Sequence, residues 1–240
     1  MQKAESALSV RGMKILTSSL VSFIIAAACA HAFSFGELAK NVSESAIAAS
    51  ASSKNIEELK TKQEATLAKY KKSKEDFLKG FAEVADSCGA ETYAKQAKDA
   101  LGKVEAQSAK TLDVQGAAQL TDEIIEKTSN GTALKLPEDA AAAAKTAAKS
   151  GLATMGEAIK GEMEVGRDVA ELAEKVRDVM KNGTTAEKIA LGSTLSPTLE
   201  LAKLVPSDIS KSKDAAVSIA KSLKEGGVKI PSSLASAIGL

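Results

Sequence analysis

A seven-residue apolar repeat, uninterrupted by proline, constrains this chain more than any other feature. Across 56–88, Ile56, Gln63, Tyr70, Phe77 and Val84 recur every seven residues, and Leu67, Phe81 and Cys88 fall four residues after three of those positions. The two rows form one stripe bordered by Lys and Glu, the pattern of a long amphipathic helix that needs a partner helix. Lys60, Gln63 and Lys74 interrupt the stripe. Those interruptions argue for packing within the chain over a long dimeric coiled coil.

A partner helix is predicted after Pro137. Leu136-Pro137-Glu138-Asp139 reads as a helix start, with proline at the first position and two acids in the first turn. From there to Lys181 no proline occurs, and Leu152, Met155, Ile159, Val169, Val176 and Met180 keep a three-four spacing, interrupted by Glu162 and Gly166. At 1.5 Å per residue the two helices would be about 50 and 65 Å long. Gly151, Gly156, Gly161 and Gly166 recur every five residues within the second. They admit two readings: close packing against small neighbours, or a segment that bends.

Shorter helices fill the remainder. One is expected over 90–109 with Tyr93, Ala97, Ala100, Leu101 and Val104 inward, and another over 116–127 with Leu120, Ile124 and Ile125 together. Asn55 is the expected cap of the first long helix and Gly89 its left-handed stop. Thr184 and Glu187 have capping-box spacing. Ser196-Pro197 is expected to open a short helix that Val205-Pro206 breaks, Ser207 to cap the next, Gly226-Gly227 to end it, and Pro231 to open a last turn with Leu234 and Ile238. With no Trp, seven aromatics and four prolines in 240 residues, the core must be thin and aliphatic, the kind made between helices. The fold class is therefore all-α: an elongated antiparallel helical bundle built on two long amphipathic helices, with shorter ones packed on them.

Residues 1–32 carry a different signal. Lys14, the apolar stretch that follows it and Ala30-His31-Ala32 have the three parts of a secretory signal peptide, with cleavage after Ala32. The apolar run falls short of the roughly twenty residues a membrane span needs. Ala26-Ala27-Ala28-Cys29 is a weaker match to a lipoprotein signal, which would place an acyl chain on Cys29. The chain thus divides into a signal peptide over 1–32, a weakly patterned lead-in over 33–54 and one helical domain over 55–240. Export to a bacterial periplasm or cell surface is the expected location.

Several chemistries are excluded on residue types. The sole histidine, His31, precedes the expected cleavage site, so the mature chain would hold none. That removes Ser-His-Asp and Cys-His catalysis and every histidine-containing metal site. Cys88 would stand alone, without an intramolecular disulfide, and is expected as a small buried apolar residue. The 32 basic and 31 acidic residues are interspersed; the first 32 positions hold three bases and one acid, leaving 29 against 30. Such a balance offers no footprint for nucleic acid. Glu171, Glu174 and Asp178, with Lys175 and Arg177 among them, read as solvated ion pairs, and Asn41, Asn130 and Asn182 stand in formal glycosylation sequons.

No catalytic, cofactor or metal residue is assigned. The expected function is an exported, non-enzymatic protein, a structural, scaffolding or binding component of the envelope that meets a protein partner or a second copy of itself. The alternative is membrane association, through acylated Cys29 or by opening of the bundle onto lipid. A third reading, an enzyme using Lys, Tyr or carboxylates alone, points to Tyr70 and Tyr93, both read as core residues with the hydroxyl at the rim. It would require a deep polar site joining one of them to two carboxylates.

Overall fold

The computed structural model describes residues 49–129, 134–192 and 196–239, all within one compact unit, Ala48–Leu240. The signal-peptide residues Cys29, Ala30 and Ala32, and the sequons at Asn41 and Asn130, lie outside the described residues. Among the described residues seven α-helices and one 3-10 turn follow one another, and no strand occurs. They are α1 (Ala49–Ser87), α2 (Glu91–Glu105), the 3-10 turn Ala109–Thr111, α3 (Val114–Ser129), α4 (Ala142–Asn182), α5 (Thr185–Gly192), α6 (Ser196–Glu225) and α7 (Ser232–Ile238). The protein is an all-α helical bundle.

The 39-residue α1 and the 41-residue α4 form its frame. They run antiparallel: Gly80 meets Gly151, Lys74 pairs with Glu162, Lys69 with Asp168 and Lys62 with Glu171, so numbering rises along one helix as it falls along the other. The heptad row is the contact face. Ile56, Gln63, Tyr70, Phe77 and Val84 are all buried, as are Leu67 and Phe81. Facing them, α4 buries Leu152, Met155, Ile159, Val165, Val169 and Leu172. Each large apolar side chain so placed contributes about 1.5–3 kcal/mol relative to exposure. At the far end of the pair, Ile56 and Leu59 meet Leu172 and Leu191 of α5, with Val176, Val179 and Met180 half-covered beside them.

The five-residue glycine repeat now has a packing account. A Cβ on Gly80 would stand 2.5 Å from the Gly151 carbonyl oxygen, and one on Gly151 would stand 2.5 Å from that of Gly80. Here the two backbones touch, and no side chain fits between them. Five residues rotate a helix by about 140° beyond a full turn, so the next glycine faces elsewhere. Gly156 lies under α7, where an added Cβ would approach the Leu234 backbone nitrogen to 2.6 Å. Gly161 returns to α1, against Ser73 Oγ, and Gly166 faces Val205 and Ile209 of α6 with ordinary clearances of 3.6 and 3.7 Å. The spiral of glycines serves three different neighbours.

Helix ends follow the local rules. Gly89, with φ +68°, closes α1 as the left-handed residue of a Schellman motif: Gly89 N–H donates to Asp86 O and Ala90 N–H to Ala85 O. Gly227, with φ +82°, closes α6 the same way through Leu223 O and Lys224 O. The capping box is present, with Thr184 N–H donating to Glu187 Oε2 at 2.7 Å and Glu187 N–H to Thr184 Oγ1 at 3.3 Å.

Three expected boundaries differ. Asn55 is not a cap; α1 already begins at Ala49, because the Ala-Ser run before it is good enough helix to extend an existing one. Pro137 opens a turn, with Ala140 N–H donating to Pro137 O, and α4 starts only at Ala142. Pro206 does not break a helix. It lies inside α6, which runs unbroken from Ser196 to Glu225. Proline removes a backbone donor and crowds the carbonyl four residues earlier, a cost of about 3 kcal/mol. Packing outweighs it here: Leu201, Ala202 and Val205 before the proline and Asp208 and Ser212 after it are all buried.

Candidate functional site

The expected interruptions of the two long helices meet inside the bundle. Lys74 lies on the α1 face between Tyr70 and Phe77, and Glu162 lies on the α4 face between Ile159 and Val165. The antiparallel register brings them together, and α6 adds Asp208 and Ser212, two and six residues beyond Pro206. Lys74 Nζ donates to Glu162 Oε1 at 2.9 Å and to Asp208 Oδ2 at 2.9 Å. Tyr70 Oη donates to Asp208 Oδ2 at 2.7 Å, and Ser212 Oγ to Glu162 Oε1 at 3.3 Å. The Lys74 ammonium also stands 5.2 Å from the centre of the Tyr70 ring, within cation–π range. None of the three charged side chains is more than 3% exposed.

Electrostatics at this node are unbalanced. One ammonium faces two carboxylates, and Glu162 Oε2 is buried with no hydrogen-bond partner. Burial pushes the Glu162 carboxyl above its ordinary range, more than Lys74 pulls it down, and Asp208 pushes the same way. Burial pulls Lys74 down, yet the charges of Glu162 and Asp208 outweigh it and hold the ammonium above its usual value. The two directions compete, since the Lys74 gain leans on an ionised Glu162. The bare Oε2 favours a neutral Glu162, with Asp208 as the counter-ion of Lys74. Tyr70 is raised by burial and then by Asp208, so its phenol stays protonated.

The Tyr70 hydroxyl is not at the rim as expected. Tyr70 is fully buried, hydroxyl included. It does join two carboxylates, but in a packed arrangement closed to solvent. Tyr93 is half-buried and lies elsewhere, in an open cleft of about 490 Å³ lined by Cys88, Gly89, Ala90, Glu91, Thr92, Tyr93, Leu134 and Lys135. Cys88, expected in the core, is half-exposed there; partial burial pushes its thiol up to about 11. Glu171 is exposed and paired with Lys62 and Lys175; its carboxyl is held below the usual range by the Lys62 bond.

Among the described residues no group of three or more His, Cys, Asp or Glu is placed to hold a metal ion. No described helix is long and apolar enough to cross a membrane. The sequence did contain a signal for the node: charged residues in core register on each of two proline-free helices. Asp208, behind a proline expected to end its helix, carried none. The chain matches no protein-family model, no curated protein and no solved structure.

Proposed function

We propose that this chain is an exported, non-enzymatic helical-bundle protein, acting through its surface as a structural, scaffolding or binding component of a bacterial cell envelope. The observation that carries this reading is how the bundle uses its apolar residues. Tyr70, Phe77, Phe81 and the large aliphatics of α1 and α4 are spent on internal packing, and among the described residues Leu199, 42% exposed, is the one large apolar side chain left outside. The exterior that remains is mixed in charge, suited to polar contacts with a partner or a second copy. The signal-like segment ahead of Phe33 supports export. Mass spectrometry of the natively produced protein tests the location. A chain beginning at Phe33 supports it, and one retaining an unmodified 1–32 overturns it.

Membrane association is the second reading, favoured by the ionic node, since a bundle with unbalanced charge in its core has a defined place to open. Acylation would show in the same spectrum as a lipid mass on Cys29. Flotation of protein lacking 1–32 with anionic liposomes tests opening onto lipid: protein left at the bottom of the gradient removes that route.

A further inference from the structure

We propose that the node of Lys74, Glu162 and Asp208 is a proton-held latch: the closed bundle carries one proton on Glu162, and α6 is released from α1 and α4 when that proton is lost. The inference goes beyond the role proposed above and stands independently of it.

Three observations carry it. Glu162 Oε1 accepts from both Lys74 and Ser212 while Oε2 has no partner. That asymmetry leaves one buried oxygen uncompensated, which costs a carboxylate, with charge on both oxygens, more than a neutral carboxyl. Next, the groups around Glu162 offer one cation for two acids. Lys74 and Tyr70 face it from α1, Asp208 and Ser212 from α6; Asp122 of α3 is engaged at the surface by Lys211. One proton makes the node neutral, taken from solvent on closing and returned on opening. Finally, α6 is the element whose seating on α1 depends on the node. The α1–α4 seam has its own glycine contact and apolar core; α6 packs Leu201 and Val205 inward, but its bonds to Lys74 and Tyr70 of α1 run through Asp208, two residues after a proline that lacks a ladder hydrogen bond.

The sign of the pH dependence follows. Folding raises Glu162 above 4.5, so its stabilising contribution is complete below 4.5 and is lost as pH rises through the raised value. Neither unperturbed carboxyls nor lysines titrate between about pH 6 and 8, and the sequence has one histidine, His31, which cancels in a comparison of variants. Urea unfolding of the full chain in steps from pH 4.5 to 8 should therefore show the folding equilibrium constant falling by up to about tenfold per pH unit until the raised Glu162 value is passed. In Glu162→Gln, which mimics the protonated acid, that fall should disappear. Carbon-detected NMR titration of the native Glu162 carboxyl gives a second reading that needs no variant. Amide exchange over the same range, corrected for intrinsic base catalysis, should show α6 losing protection ahead of α1 and α4. Equal pH slopes in the two proteins, or a Glu162 carboxyl titrating at or below 4.5, would overturn the latch. Uniform loss of protection across the three helices would overturn α6 as its moving part.

Discussion

Six residues on α1 separate two ways of holding the same helix pair. At Gly80 the seam is dry: two glycines let the backbones of α1 and α4 touch, and nothing polar takes part beyond the helices themselves. At Lys74 the seam is ionic and recruits a third helix through Asp208. The dry contact specifies by volume, since any Cβ at 2.5 Å from a carbonyl oxygen forces the helices apart. The node specifies by charge, since each member is tolerable in the core only while the others are present. One is sensitive to addition, the other to removal.

The largest effect should come from removing the cation. Lys74→Ala leaves Asp208 buried without its counter-ion, and breaking a buried ion pair in this way costs about 3–5 kcal/mol. Urea unfolding near neutral pH measures it. Replacing the whole node, with Tyr70→Phe, Lys74→Met, Glu162→Leu and Asp208→Leu together, should instead be close to neutral or stabilising by about 1–4 kcal/mol. A combined variant as unstable as Lys74→Ala would show that the node adds net stability, and the contrast drawn above would fail.

The dry seam comes next. Gly151→Ala or Gly80→Ala should destabilise by about 1–3 kcal/mol, the cost of overpacking a close-packed contact. Gly166→Ala is the internal control, because its added methyl meets Val205 and Ile209 at normal distance. A similar loss at Gly166 would mean that the glycines act through chain flexibility and not through space.

This ordering also marks what could be read from the sequence. The α1 stripe, the partner helix, the Gly89 and Gly227 stops and the Thr184 box were legible because each depends on neighbours within about a turn or two. The dry seam was half legible. The glycine period was plain, but its three different neighbours required the register of α4 against α1, α6 and α7. The node was legible only as misfits, Lys74 and Glu162 standing in the two apolar stripes, and not as a meeting of side chains. Lys74 and Glu162 are 88 residues apart and Tyr70 and Asp208 are 138 apart, and a periodicity argument counts a lysine on an apolar face as an interruption. Pro206 concealed the rest, because local rules end a helix where tertiary packing carried α6 through.

A local device should rank below both seams. Thr184→Ala removes the hydroxyl that accepts from Glu187 N–H at the start of α5, and loss of such a cap costs about 1 kcal/mol. The urea midpoint should fall with an unchanged slope. A loss as large as that of Gly151→Ala would mean that α5 anchors the Leu172–Leu191 end of the bundle more strongly than its eight residues suggest.

The smallest effect should have the opposite sign. Gly102 sits in α2, exposed, with nothing within 4 Å of where a Cβ would be. No neighbour needs the missing methyl, so only the backbone entropy of glycine in a helix is at stake. Gly102→Ala should stabilise by up to about 1 kcal/mol, a gain read from the thermal midpoint. Set beside Gly80→Ala, the same chemical change then produces opposite results in one protein. What decides the sign is whether a second backbone stands where the methyl would go. A loss at Gly102 would indicate that α2 has a partner surface beyond the packing described, and that its exposed face is occupied in the working protein.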